Sequence, residues 1–428
     1  MSKAHRAVEW AKTLLIVLLT ASAIFLGWRT RLLNDFLRTI PLFGSVAELM
    51  RGSSGNGAAG AGSIKEAARP LCIVVTNEDG ERYGVRYDTD ARNAVYDRTS
   101  SIIGEALGSA SASSEIGENE WRAALSGPGV YYEYTTPVML SVLYGWLGAR
   151  MPDITEDVSV RRVYIAFGED KSRIYYLDHE NGLFYGADTA SSAGKAQELG
   201  IYTSNGSLFA YELGTEGSSQ SPYVLIMPGR EHPDIKAAIT VNAEEILDAV
   251  LRALGHSSEA YTTMRYDDGS VRRVGTQFII RIDVRGGIIY RRTDIPPRDP
   301  DEILPGDGEN IERARAIAAE TIGKVCGAAE VFFEYVEPRG VDAVSVYFGY
   351  YIAGGSVYLP DNRYAARITL AGGVVTDVDL NYREFSFTGE FTGLLPEQQA
   401  LAAAGGEFML CYSDTGAETL QPSWIRRN

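Results

Sequence analysis

The sequence predicts an α+β protein: an N-terminal transmembrane helix followed by two or three mixed α+β units with antiparallel sheets. Three observations lead there. Thr13 to Trp28 is a sixteen-residue run without a charge, with Lys3, Arg6 and Lys12 before it and Arg29, Arg31 and Arg38 after it. Beyond residue 70, β-rich runs alternate with helical ones, and several meet at two-residue turn signals such as Asp79-Gly80 and Asn181-Gly182. Composition, 45% hydrophobic and 22% charged over 428 residues, is that of folded material and allows two domains beyond the anchor.

The apolar run comes first. A helix rises about 1.5 Å per residue, so the run spans roughly 24 Å against a hydrocarbon core of about 30 Å. Trp10, Ala11 and the stems of Lys12 and Arg29 make up the difference. Ala21-Ser22-Ala23 has the small-residue pattern of a signal-peptidase site, which opens a second reading, a cleaved signal peptide. A cut there leaves only Leu14 to Leu19 as the apolar segment and Ile24 to Trp28 as an overhang, which favours an uncut signal anchor at 13–29. A buried helix of a soluble protein is the third reading. Basic residues nearly balance across the run, so orientation rests on the short leader, 1–12, which is easily kept in the cytosol. The expected location is therefore the cell membrane, with a single pass and the C-terminal part extracytoplasmic. Helices in lipid associate through small and polar side chains. Thr20, Ser22, Ala23 and Gly27 are the candidate partner contacts, with Leu14, Ile16 and Trp28 seating the helix in the bilayer.

Residues 30–69 form a juxtamembrane segment and a Gly/Ala-rich tether, Gly52 to Ser63, which has no side chains able to build a core. A first extracytoplasmic domain is expected over 70–255. It opens with the hairpin Leu71 to Thr76 and Arg82 to Tyr87, and continues with a helix near Asp90 to Leu107, where apolar residues recur at helical spacing. Val130 to Thr135 is a strand, Val138 to Leu147 a helix after Pro137, and Val158 to Phe167, Arg173 to Leu177, Leu183 to Gly186 and Tyr223 to Met227 are strands. AEEILDAVLRAL, Ala243 to Leu254, is a helix stopped by Gly255. Residues 256–308 hold connecting strands at Phe278 to Val284 and Ile288 to Arg292, then a Pro/Gly-rich seam. The C-terminal domain, 309–428, begins with a helix from Glu309 to Val325. Strands follow at Val331 to Val336, Ser345 to Tyr351, Tyr364 to Leu370, Val374 to Tyr382 and Phe408 to Tyr412, with a helix near Pro396 to Ala404.

Charge excludes one class of partner. The formal charge is -16, and residues 1–51 carry seven basic and three acidic side chains, which leaves -20 on the remainder. Such a domain is repelled by phosphodiester backbones, so no nucleic-acid partner is expected. The basic pairs Arg161-Arg162, Arg272-Arg273 and Arg291-Arg292 are expected at solvated strand edges. Cys72, Cys326 and Cys411 are too scattered for a disulfide framework or a zinc site and read as isolated buried thiols.

Reactive constellations are missing from the sequence. There is no G-x-S-x-G, P-loop, H-E-x-x-H or strand-following G-x-G-x-x-G. Of the four histidines, His5 precedes the anchor, while His179, His232 and His256 lie in polar, turn-like segments; His179 reads as an exposed hairpin tip. No cofactor, metal or catalytic residue is expected. Paired carboxylates leave one enzymatic alternative, a membrane-tethered hydrolase of wall glycans using pairs such as Glu330 and Glu334 or Asp377 and Asp379. Tyrosines cluster at Tyr131, Tyr132 and Tyr134, at Tyr175 and Tyr176, and at Tyr347, Tyr350 and Tyr351; they fit sheet packing first and a protein-binding face second.

The order of leader, span, tether and acidic α+β domain resembles the YycH and YycI proteins of Gram-positive bacteria, also called WalH and WalI. The likeness is carried by the helix Ile311 to Val325, Val346-Tyr347-Phe348-Gly349-Tyr350-Tyr351, Gly355-Ser356-Val357-Tyr358, and the ending Leu410-Cys411-Tyr412 followed by Leu420-Gln421-Pro422-Ser423-Trp424. Upstream, Val130-Tyr131-Tyr132-Glu133-Tyr134, Arg161 to Phe167 and Ile174-Tyr175-Tyr176 are similar to the first YycH domain. The resemblance implies a non-enzymatic membrane regulator. Its implied partners are a membrane sensor histidine kinase of a two-component system controlling cell-wall homeostasis, and a paralogous regulator.

Overall fold

A computed structural model describes residues 64–426 except 153–156, 169–170, 191–194, 215–220, 240–241, 257–258, 295–304, 341 and 405–407. The expected anchor, with Leu14, Ile16, Thr20, Ser22, Ala23, Gly27 and Trp28, and the Gly/Ala-rich tether lie outside the described residues. Among the described residues no helix is long and apolar enough to cross a membrane.

Seven strands make the first sheet. β1 (Cys72–Thr76) and β2 (Arg82–Val85) form the expected hairpin, and Gly80 supplies the positive φ of its turn at +78°. Helix α1 (Thr89–Gly108) starts where the Asp88 carboxylate accepts the Ala91 N–H at 2.9 Å. Its buried Val95, Ile102, Ile103 and Leu107 pack across the sheet. After β3 (Ser114–Ile116) and α2 (Glu118–Leu125) comes β4 (Gly129–Met139), then α3 (Leu140–Trp146), β5 (Ser159–Phe167), β6 (Ser172–Asp178) and β7 (Phe184–Thr189). The order is β2-β1-β4-β5-β6-β7-β3, antiparallel throughout. Contrary to the expected helix from Val138, β4 runs through Pro137 to Met139. Its pairing with β5 is interrupted between Glu133 and Val138, so the missing proline N–H costs no ladder bond.

The chain continues with a two-residue ladder, β8 (Leu208–Phe209) and β9 (Leu225–Ile226), so the expected strand at Tyr223 to Met227 is shorter than its apolar run. β10 (Glu231–Ala238) follows, then α4 (Ala243–Ala253), capped by Asn242. β11 (Thr262–Arg265), β12 (Val271–Val274), β13 (Phe278–Ile282) and β14 (Gly287–Arg292) form a meander. Beyond it lie α5 (Asp307–Glu320), β15 (Glu330–Pro338), β16 (Ala343–Ile352), β17 (Gly355–Tyr358), β18 (Ala366–Ala371), β19 (Val374–Asn381), β20 (Glu384–Gly393), α6 (Glu397–Ala404), β21 (Phe408–Ser413), β22 (Thr419–Leu420) and β23 (Pro422–Arg426).

The second sheet has eleven strands in the order β11-β12-β13-β14-β19-β18-β16-β17-β21-β23, with β15 on the other edge of β16. Only β17 and β21 run parallel among its described pairs. A third, small sheet places β10 between β20 and β22, so a strand from the middle of the chain is held by two from nearer its end. β10 contains Pro233, which sits where its register with β20 shifts, a bulge that absorbs the missing donor. One continuous core runs through the two large sheets, and the tyrosines at 131, 132, 134, 175, 176, 347, 350 and 351 are buried in sheet packing, as expected.

Candidate functional site

The residues with unusual chemistry gather where the two large sheets meet. Interruption of the β4 ladder frees Thr135 and Thr136, and both hydroxyls donate to the Phe333 carbonyl of β15 at 3.2 Å. Around this joint Arg92 of α1 donates to Glu330 at 2.6 Å, Arg69 reaches the same carboxylate at 3.5 Å, and the Trp146 indole N–H donates to Glu312 of α5 at 3.0 Å.

At the centre stands Glu133, 0% exposed. Register places it across from Cys72 on one side and Arg162 on the other. Arg162 donates to its carboxylate at 2.9 Å and Arg161 lies 3.4 Å away, with the Arg161 Nε–H also on the Tyr134 carbonyl at 3.3 Å. Neighbouring strand residues ordinarily point to opposite faces. Here the β5–β6 register shifts between Val160 and Arg162, a bulge that lets both arginines reach one carboxylate. The expectation that Arg161-Arg162 lies at a solvated edge is therefore corrected: both are buried in a central strand. Arg273 is likewise buried, against Asp248, whereas Arg291 is exposed and pairs with Asp377.

Burial by itself pushes the Glu133 carboxyl up. The charges of Arg162, Arg161 and Arg86 and the Arg162 hydrogen bond outweigh it, and the pKa falls to about 2. Burial and the Glu133 charge push the Cys72 thiol well above its ordinary range, so it is an inert thiol and not a nucleophile. All three cysteines are free and buried. A second buried carboxylate, Glu397 at the start of α6, accepts from the Tyr87 hydroxyl and from the Met227 N–H at 2.9 Å. Burial raises its pKa, with Arg86, Tyr87 and Met227 opposing. Tyr87 in turn stands edge-on to His232, whose ring also meets Trp424.

The histidines divide. His179 is exposed at the β6–β7 turn, as expected. His232 and His256 are corrections, since both are buried: strand pairing of β10 encloses the first, and the second bridges Glu259 at 2.7 Å and the Tyr290 hydroxyl at 2.9 Å. Burial, reinforced by Arg230, lowers the His232 pKa to about 4, so it is neutral at physiological pH. Of the carboxylate pairs, Glu330 is tied to Arg92 and Arg69, and Glu334 accepts the Tyr351 hydroxyl at 2.9 Å. Asp377 pairs with Arg291 and Asp379 with Arg367. Among the described residues no group of three or more His, Cys, Asp or Glu is placed to hold a metal ion.

Sequence reasoning missed Glu133, Arg86 and Glu397. For Glu133 a signal existed: one carboxylate inside the aromatic run Val130 to Tyr134 demands a buried cation, and the Arg161-Arg162 pair supplies two. Nothing local marks Glu397 or Arg86, whose partners and neighbours are brought in from far along the chain.

No protein-family model and no curated protein matches the sequence. A solved structure, that of YycH from Bacillus subtilis, is similar, with a TM-score of 0.55 and 12% identity, over 86% of this chain and 96% of that one. The chain therefore has the YycH fold, in agreement with the motifs that resemble that family.

Proposed function

We propose that this chain, built on the YycH fold, is a non-enzymatic, single-pass membrane regulator that associates with a sensor histidine kinase and modulates it. One observation carries the reading: the fold is shared over 86% of this chain and 96% of YycH. The site chemistry is consistent with it. The Arg92 and Arg69 pairs with Glu330, the Tyr87 hydrogen bond to Glu397 and the Thr135 and Thr136 bonds to the Phe333 carbonyl link the first half of the fold to the second. The hydrolase alternative gains no support, because Glu330 and Glu334 are each bound to a neighbour.

In this reading the run at 13–29 anchors the chain and the folded part stands outside the cell. Bilayer contact with the kinase goes through Thr20, Ser22, Ala23 and Gly27. The test is co-purification from membranes with Ala23→Leu and Gly27→Leu variants. Loss of the kinase from the eluate, with the circular dichroism of the variants unchanged, is expected. Kinase recovery equal to that of the parent chain contradicts the contact surface.

A further inference from the structure

The meander β11–β14 is a basic island in an acidic chain. From Tyr261 to Asp294 it carries seven arginines and four aspartates, against a formal charge of -16 for the whole. Phe278, Ile280, Ile288 and Tyr290 are buried, which turns Ile279, Arg281, Ile289 and Arg291 to the opposite face of the sheet. A solvated sheet face is ordinarily polar. This one presents Met264 at 43% and Ile289 at 46% exposure beside its arginines. Register places Met264, Arg272, Arg281 and Ile289 in one row across the four strands. Arg272 and Arg281 therefore stand directly opposite each other, where like charges destabilise a sheet. Arg281 has Asp268 at 3.2 Å, an exposed pair that contributes little. Arg272 is half-buried, its Nε–H has no hydrogen-bond partner, and among the described residues no carboxylate pairs with it.

We propose that this face docks an acidic segment of a partner protein, with one carboxylate held between the Arg272 and Arg281 guanidiniums and its apolar neighbours resting on Met264 and Ile289. Charge selects the occupant. A guanidinium fork matches a carboxylate with two parallel hydrogen bonds. A polymeric phosphate reaches beyond the basic island and is repelled by the acidic remainder of the chain, whereas a short acidic segment meets the island alone. A second copy laid face to face sets arginine against arginine. The exposed aliphatic side chains in the same row give a protein segment a contact that an inorganic anion cannot use. This surface is separate from the bilayer contact at Thr20, Ser22, Ala23 and Gly27.

The full chain in nonionic detergent is titrated, by fluorescence anisotropy, into a short labelled peptide of alternating glutamate and valine, with a glutamine-valine peptide as control. Saturable binding of the glutamate peptide is expected, about tenfold weaker for Arg272→Gln. It is expected to be unchanged for Arg122→Gln, whose arginine pairs with Glu118 in its own helix. Arg272→Gln is also expected to melt no lower than the parent, because it relieves a like-charge pair. Equal affinity for the two peptides, or equal affinity of parent and Arg272→Gln for the glutamate peptide, overturns the proposal. A lower Tm for Arg272→Gln gives that arginine to the fold and overturns it as well. So does displacement of the peptide by inorganic phosphate at equal concentration, which makes the site one for free oxyanions, and so does a dimer in sedimentation equilibrium that Arg272→Gln abolishes, which seats a second copy on the face.

Discussion

Glu133 joins two buried arginines, and its carboxyl pKa is lowered to about 2. Replacing it by glutamine removes the negative charge that Arg161 and Arg162 share. Breaking a buried pair from one side costs about 3–5 kcal/mol, so Glu133→Gln is expected to shift the denaturant midpoint by that equivalent. The sign with pH follows from linkage. The folded pKa lies below the ordinary 4.5, so the stabilisation, about 3 kcal/mol, is fully present above pH 4.5 and is lost as pH falls through 2. His232 acts in the same direction at an earlier stage, since its lowered pKa makes folding oppose protonation between pH 6.5 and 4. Urea titrations across pH 2–7 check this: the Glu133→Gln variant should show a flatter loss below pH 4.5, and an unchanged slope would remove Glu133 from the account.

Among the elements, the β16–β17 hairpin shows how closely the two sheets approach. Its two-residue turn, Ala353-Gly354, has positive φ at both positions, 47° and 73°, as a type I′ turn requires. A Cβ on Gly354 would stand 2.6 Å from the Arg86 carbonyl oxygen. Gly354→Ala is therefore expected to cost about 2–4 kcal/mol through backbone strain and overpacking together, measurable as a fall in Tm. A variant as stable as the parent would show that the sheets are free to part here. Much of the element plan was legible, because it rests on local signals. Asp79-Gly80 marks the first hairpin, and helical spacing marks α1 and α4. β10 and β20 were not legible. EHPDIKAA carries proline and charge, and EFSFTGEFTG carries glycine and threonine; each becomes a strand through pairing with the other across about 150 residues. The same limit hid Arg161-Arg162, whose burial depends on a bulge and on a carboxylate in the neighbouring strand.

For the whole molecule, the acidic balance, the α+β class and the tyrosine-rich strands that resemble YycH could be read from residues alone, and the shared fold agrees with them. The charged seam could not, because its members come from positions 69 to 397 and meet only after both sheets form. At that seam the Arg92 and Arg69 pairs with Glu330, the Thr135 and Thr136 bonds to Phe333 and the close approach of Gly354 to Arg86 join the two sheets. Reconstitution of the full chain with its sensor kinase in lipid vesicles tests the central claim most directly. Kinase autophosphorylation should change severalfold when the chain is present and revert when Gly27→Leu replaces it. A rate identical with and without the chain, both proteins being in the same bilayer, would contradict the account.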